Sequence, residues 1–214
     1  MPKLFSREIL SLIFARILPT SFWAIRRYQM KSLKLQKSFL IISCDCDTQL
    51  DTESVLDVDS EFEKLGVSPS YAVPSMRIQS GLDVYGALIS KGRDFLNHGY
   101  SDHVFFDSEG SAHNSFLYSN LSKSEVCEDF TLGHEYFEKT FGILLKGWRT
   151  PHFGSFENRK NLRLIHSLCS RLDYRFSSSS SGLNGFIRGP ISVSSQIREF
   201  SVTGHGTAGF GVLD

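Results

Sequence analysis

The chain has 214 residues, of which 41% are hydrophobic and 21% are charged, and its formal net charge is zero. This length can bury the core of one domain, and a neutral chain is not typical of a general nucleic-acid binder, so we expect no nucleic-acid partner. The charge is unevenly placed. Residues 1–38 carry eight basic residues and one acidic residue, about +7, which the rest of the chain balances.

The first segment, residues 1–38, is predicted to be a basic amphipathic region that precedes the main domain. Apolar residues recur at helical spacing between Ile9 and Ile17. This predicts a helix that packs on the domain or, alternatively, makes peripheral contact with an anionic membrane. No stretch is apolar enough for a membrane span, and charges interrupt the start too often for a secretory signal. We therefore expect a cytoplasmic protein, membrane-associated if this segment binds lipid.

The next feature is an apolar run, Phe39 to Ile42, that ends in two carboxylates, Asp45 and Asp47. Such a run predicts a buried strand that delivers its last residues to the edge of a sheet or barrel. Residues two apart on a strand share a face, so both carboxylates can enter one site. Two carboxylates so near each other need a cation or a shared proton, and a divalent metal is the simplest explanation.

Helices and strands are predicted to alternate along the rest of the chain. Helices are expected at 52–65, 81–92, 122–141 and 158–172, and strands at 70–74, up to Pro151, from Tyr174 and within 186–204, while 94–106 carries short interrupted apolar segments. The serine run at 177–181 is predicted to be an ordered strand end and loop. This alternation favours an α/β fold with a parallel sheet or barrel.

The four cysteines, Cys44, Cys46, Cys127 and Cys169, do not have the spacing of a zinc cluster. We expect all four to be reduced packing residues, which fits a cytoplasmic protein.

Two further constellations could carry chemistry. The segment from His98 to His103 places two imidazoles and a carboxylate, Asp102, within six residues, and these groups suit zinc and similar ions. The segment from Arg149 to Gly154 follows a strand and contains proline and glycine, so its backbone N–H groups could form an oxyanion hole. His134 and His166 fall in helical patterns and are predicted to be surface or hydrogen-bonded core residues.

In this order, the three segments resemble the motifs of the polysaccharide deacetylase (NodB-homology, carbohydrate esterase family 4) superfamily. Asp45-Cys46-Asp47 resembles its first motif, His98 to His103 its histidine motif, and Arg149-Thr150-Pro151-His152-Phe153-Gly154 its Arg-x-Pro motif. The strand from Tyr174 is also similar. The similarity covers roughly residues 38–214, so 39–214 is predicted to be the catalytic domain.

The resemblance implies a distorted (β/α) barrel and a metal-dependent hydrolase that removes N- or O-acetyl groups from a sugar, polysaccharide or glycan precursor. Asp45 would be the general base, and Arg149 would orient it. Asp47, His98 and His103 would hold a divalent ion, with Zn²⁺ expected first and Co²⁺, Mn²⁺ or Ni²⁺ as alternatives. Asp102 is the alternative third ligand, because the family usually has three residues between its histidines and this chain has four. The backbone of residues 151–154 (Pro151, His152, Phe153 and Gly154) would line the acetyl pocket.

The resemblance also implies a late strand that ends in a general-acid histidine. His205 is the only late histidine, so we expect a barrel that lacks its last strand or strands, in a C-terminally truncated chain. Two other interpretations remain open. One is a non-catalytic relative that binds metal or glycan and has lost the acid. The other is an Asp-x-Asp phosphohydrolase of the haloacid-dehalogenase type, although Gln49 stands where that family has threonine.

Overall fold

The computed structural model describes residues 14, 16–32, 41–152, 156–180 and 191–202. Its centre is a seven-stranded sheet. The strands of this sheet are β1 (Ser43–Asp45), β2 (Ser70–Val73), β3 (Asp94–Asn97), β6 (Gly147–Arg149), β7 (Phe176–Ser178), β8 (Ile191–Ser192) and β9 (Arg198–Glu199). Their order across the sheet is β1-β2-β3-β6-β7-β9-β8. A separate antiparallel hairpin consists of β4 (Val104–Phe106) and β5 (Ala112–Asn114).

The sheet is parallel from β1 to β9, and β8 alone pairs antiparallel, with β9. It curls into a half-barrel. This confirms the predicted α/β fold of the (β/α)-barrel type. Within the described ranges, β1 and β8 form the two edges and do not pair with each other.

The helices are α1 (Pro19–Ser32), α2 (Gln49–Lys64), α3 (Ser75–Ser80), α4 (Leu82–Ser90), α5 (Lys123–Phe141) and α6 (Arg159–Arg171), with a 3₁₀ turn at Tyr118–Asn120. The predictions for α5 and α6 are confirmed. Ser122 caps α5 by accepting from the N–H of Glu125, and Gly142 ends the helix at φ 69°, the left-handed conformation that glycine adopts without strain.

Three predictions about elements were wrong in detail. Helix α2 begins three residues before the predicted start, because Thr48 and Asp51 form a reciprocal capping box. Helix α3 was not predicted. The β1 strand is only partly buried rather than buried, and Ile41 before it is 65% exposed, because β1 lies at the edge of the sheet.

The described residues at the end of the helix predicted near the start, Phe14, Arg16 and Ile17, are helical, and α1 follows them. Ile17 is exposed and precedes α1, whereas Phe22 within it is buried; Ile9 lies outside the described residues. Phe39 and Leu40 are also outside them. None of the helices that the structure describes is both long and apolar enough to cross a bilayer.

Aromatic rings fill the core beneath the edge of the sheet where the site lies. The Trp148 ring on β6 stacks on Phe130 of α5 with a centroid distance of 4.1 Å, and Tyr174 packs against Phe130 at 5.7 Å. Such rings each bury a large apolar area, so this layer holds β6 and α5 in a fixed relation. Trp148 directly precedes Arg149, which places that arginine at the rim of the core.

The predictions for the four cysteines and for the described part of the serine run are confirmed. All four cysteines are free. The described serines of the 177–181 run are ordered and buried, because their hydroxyl groups are paired: Ser179 bonds to Thr150 and Ser177, and Ser180 donates to Glu199.

Candidate metal centre and its carboxylate neighbour

The carboxyl ends of three parallel strands bring the candidate residues together. Asp45 is the last residue of β1, His98 directly follows β3, and Arg149 is the last residue of β6. Parallel strands present these ends at one edge of the sheet, which is where α/β proteins build their sites.

Three side chains form a possible metal-binding cluster. Their ligand atoms, from Asp47, His98 and His103, all lie within 4.8 Å of one another. The Oδ1 of Asp47 is 3.2 Å from Nε2 of His98 and 3.7 Å from Nε2 of His103. Both imidazoles are buried, whereas the Asp47 side chain is 16% exposed, so water reaches the imidazoles little and the carboxylate only in part.

The orientation of His98 is set by a backbone group. Its Nδ1 lies 2.9 Å from the carbonyl oxygen of Arg149. A carbonyl can only accept, so Nδ1 carries the proton and donates. Nε2 is thereby directed at Asp47, which is how imidazoles that bind metals are usually held.

The pKa values of the two histidines shift in opposite directions. Burial alone would raise the pKa of Asp47, but the adjacent His98, together with His103 and His152, lowers it to about 2. Burial opposes the charged form of His98, yet the Asp47 carboxylate raises its pKa above the usual value. The pKa of His103 falls well below 6.5, because burial and then the neighbouring His98 both disfavour its cation. His103 is therefore neutral, the state in which imidazole binds metals.

The donor set fits a divalent metal. Both ring nitrogens of His103, and Oδ1 of Asp47, are buried without a hydrogen-bond partner in the described part of the chain. Buried polar atoms are costly when unsatisfied, and a cation in the cluster would satisfy Asp47 Oδ1 and one ring nitrogen of His103. Two imidazole nitrogens and one carboxylate oxygen are ligands that Zn²⁺ and related ions accept.

Arg149 lies beside the other carboxylate. Its Nε is 3.2 Å from Oδ1 of Asp45, and its Nη1 donates to Ser178 Oγ at 3.0 Å. Nη2 contacts Ser43 Oγ. The arginine is only 5% exposed, so these contacts hold the guanidinium in one position, and the guanidinium in turn orients Asp45.

Asp102, the alternative third ligand, is bound elsewhere. Arg77 of α3 pairs with both of its oxygens, with Nε 2.6 Å from Oδ1 and Nη2 on Oδ2. The structure therefore brings His103, and not Asp102, together with Asp47 and His98.

The segment after Arg149 adopts the irregular turn that its sequence indicated. Pro151 is buried, and His152 has φ 53°, a conformation uncommon for residues with a side chain. The Nε2 of His152 donates to the carbonyl oxygens of His103 and Ser115, each at 3.1 Å. Phe153 and Gly154 lie outside the described residues, so an oxyanion role for 151–154 stays a prediction.

Residues outside the three sequence motifs also shape the histidine segment. Asp129 of α5 accepts from the N–H groups of Tyr100 and Ser101 and from the Tyr118 hydroxyl. Gly99 has φ 84°, and a Cβ there would lie 2.3 Å from Asp129 Oδ2. An aspartate on an otherwise core-facing position of a helix was the only signal in the sequence.

Asn97, the last residue of β3, also holds the histidine segment in position. Its Oδ1 accepts from the N–H of Gly99, and its Nδ2 donates to Phe130 O and Tyr174 Oη. A Cβ on Gly133 would lie 2.6 Å from Asn97 Oδ1 and 2.7 Å from the Gly99 backbone. Glycine at 133 thus lets α5 approach the histidine segment closely.

The other described histidines are engaged away from the cluster. His134 bonds to Tyr174 at 2.9 Å, His166 pairs with Glu199 at 2.9 Å, and His113 pairs with Asp107 at 2.6 Å. This confirms the predictions for His134 and His166. His205 lies outside the described residues.

No protein-family model matches the sequence, and no curated protein matches it. Solved structures do match the chain. A putative polysaccharide deacetylase from Mycobacterium smegmatis is 17% identical with a TM-score of 0.51, and the match covers 76% of this chain and 57% of the Mycobacterium chain. IcaB from Ammonifex degensii is 10% identical with a TM-score of 0.52, and the match covers 78% of this chain and 69% of the IcaB chain.

A carbohydrate esterase family 4 (CE4) pseudoenzyme from Bacillus anthracis is 10% identical with a TM-score of 0.47, and the match covers 63% of this chain. This chain spans 42% of the length of that protein. At these identities the similarity to the Mycobacterium and Ammonifex proteins establishes the fold.

Proposed function

We propose that this chain, which has the fold of polysaccharide deacetylases, is a metal-dependent hydrolase that removes an N- or O-acetyl group from a sugar, polysaccharide or glycan precursor. One observation carries the proposal: the Asp47, His98 and His103 cluster lies at the same sheet edge as the Asp45–Arg149 pair. A metal-binding group beside a held carboxylate can hydrolyse an acyl bond, because the metal activates water and the carboxylate accepts its proton.

The metal-binding half of the site is assigned to three residues. Asp47, His98 and His103 would hold the ion, with Zn²⁺ expected first. When bound, a divalent ion of this kind polarises an acyl carbonyl and lowers the pKa of water. The Arg149 carbonyl fixes the ring of His98, and the Asp129 network fixes the backbone between the two histidines.

The proton-transfer half is assigned to Asp45. Its carboxylate accepts the proton of the attacking water, since Oδ1 is held by Arg149 and the group lies beside the metal cluster. Arg149 acts as a positioning residue. The backbone of 151–154 would stabilise the oxyanion that forms as water attacks, and the products are acetate and a free amine or hydroxyl.

A non-catalytic metal- or glycan-binding protein is the second candidate. A specific observation favours it. In the described ranges, each histidine beyond His98 and His103 has its ring engaged by a backbone carbonyl, a carboxylate or Tyr174. None of these rings is available to protonate a leaving group.

Acetate release separates the two candidates. The full chain, loaded with Zn²⁺, would be incubated with N-acetylglucosamine oligomers and with an O-acetylated sugar ester, and acetate measured by a coupled assay. We expect release that stops on chelation and returns with metal. Bound metal without acetate would support the second candidate. Phosphate release from a phosphomonoester, abolished by Asp45→Asn, would support the phosphohydrolase interpretation instead.

The compartment belongs to the same proposal. Four free cysteines suit a reducing environment, so we place the protein in the cytoplasm. Contact between the basic segment 1–38 and an anionic membrane remains a prediction.

A further inference from the structure

A cavity lined by cations lies outside the metal cluster. Its volume is about 440 Å³, and it lies where α5 and α6 begin. The lining residues are Lys123, Arg159, Lys160, Arg163 and Leu164. The volume is in the range of small-ligand pockets, roughly 300–1,000 Å³.

The four cations of this cavity have no acidic partner among the residues the structure describes. Other cations of the protein do: Arg77 pairs with Asp102, and Arg93 and Lys91 with Asp59. The four cations of the cavity are exposed, so solvent screens much of their mutual repulsion, and an anionic ligand would relieve the rest.

The placement of Arg159 and Lys160 is unfavourable for α6 itself. Arg159 and Lys160 open α6, which has no acidic residue in its first turn, and Lys123 opens α5. Helix dipoles favour anions at this end, so basic residues there destabilise the helix slightly. The first N–H groups of α6 are already capped by Asn158. The side chains, and not the backbone, would therefore bind the ligand.

The cavity shares a sheet edge with the candidate site. Helices that follow parallel strands begin at the carboxyl edge of the sheet, and α6 follows β6, which ends in Arg149. Tyr118 and Phe156, which precede α5 and α6, pack edge to face at 5.5 Å and hold the two helix starts together.

We propose that this cavity binds a phosphate group of the substrate, so that the deacetylated molecule is a phosphate-bearing sugar or glycan. Two arginines and two lysines match phosphate chemistry, since guanidinium groups bind phosphate oxygens bidentately and ammonium groups supply point charges. The assignment to a substrate rests on the proposed function, whereas phosphate binding itself does not.

Calorimetric titration tests the inference without turnover. N-acetylglucosamine 1-phosphate and N-acetylglucosamine would be titrated into the metal-loaded Asp45→Asn chain, which should bind them without hydrolysis, and into the same chain with Arg159→Gln/Arg163→Gln or with Arg171→Gln added. Arg171 is an exposed arginine at the other end of α6 and serves as the matched control. An Asp47→Asn variant shows whether the phosphate instead binds a metal at the site.

We expect the phosphorylated sugar to bind at least about tenfold more tightly than the neutral one. The double variant should lose that preference, Arg171→Gln and Asp47→Asn should keep it, and melting temperatures should show that the variants fold. Equal binding of both sugars, or loss of the preference in Asp47→Asn, would overturn the inference. So would vesicles of phosphatidylglycerol that bind through Arg159 and Arg163 while the sugar phosphate is ignored.

Discussion

His98 Nδ1 donates a 2.9 Å hydrogen bond to the backbone carbonyl of Arg149. One residue therefore serves both halves of the proposed site: its carbonyl orients a metal-binding imidazole, and its guanidinium holds Asp45. The backbone bond survives substitution of the side chain. Changes to the Arg149 side chain should thus affect proton transfer and leave metal binding intact.

Arg149→Lys should lower kcat by about 100-fold and change KM little, because a lysine cannot contact Asp45, Ser178 and Ser43 at once. Zinc content should match that of the wild type. Steady-state kinetics and metal analysis check this, with Arg175→Lys, an exposed arginine, as the control. Loss of zinc from Arg149→Lys would contradict the division of roles.

The third metal ligand can be identified by a pair of substitutions. His103→Gln should lose metal, because its buried ring lies in the cluster, whereas Asp102→Asn should retain it, because Asp102 is paired with Arg77. We expect at least about a tenfold weaker zinc affinity in the first variant. Competition with a zinc chelator measures this. The reverse order of effects would make Asp102 the ligand.

Gly99→Ala should destabilise the protein and weaken metal binding. Its Cβ would lie 2.3 Å from Asp129 Oδ2 at φ 84°, which strains the segment between the histidines. Gly92 is the matched control, since it has φ 74° but open space around its Cβ position. We expect a cost of about 1–2 kcal/mol for Gly92→Ala from φ alone and a larger one for Gly99→Ala, from denaturant unfolding. Equal costs would show that the Asp129 contact is unimportant.

Asp59 should make stability depend on acid pH. It is fully buried and accepts from Arg93, Lys91 and Tyr71. Burial alone would raise its pKa, but these bonds, led by that of Arg93, lower it from 3.8 to about 2. The carboxylate's contribution is therefore complete above its unfolded pKa near 3.8 and is lost as the pH falls towards 2.

Asp59→Asn should reduce the free energy of unfolding by about 2–4 kcal/mol at neutral pH, and the difference from wild type should shrink between pH 4 and pH 2. Urea unfolding at a series of pH values measures this. Asp57→Asn, an exposed change on the same helix, is the control. A difference that stays constant down to pH 2 would refute the role of the carboxylate.

The parts of the fold that could be predicted from sequence have local signals. Ser122 and Gly142 mark the ends of α5 through a capping box and a left-handed glycine, and both signals lie within a few residues of the helix. Thr48 and Asp51 carry the same kind of local signal, with aspartate in the place of the more usual glutamate.

The parts that could not be predicted depend on contacts distant in sequence. Helix α3 is short and is fixed by Ser75, which bonds to Gly99 and Gly133. The pairing of Arg77 with Asp102 spans 25 residues, and no local sequence pattern predicts it. The candidate residues can therefore be identified from motifs, whereas the residues that contact them can be identified only from the fold.

Metal content measured together with acetate release tests the central claim most directly. Wild type, Asp47→Ala and Asp45→Asn would be purified in parallel, and zinc per chain determined by elemental analysis. We predict about one zinc per chain in the wild type and in Asp45→Asn, with acetate release reduced by about 100-fold or more in Asp45→Asn. Asp47→Ala should lose both. Full activity in Asp45→Asn, or full metal content in Asp47→Ala, would contradict the account.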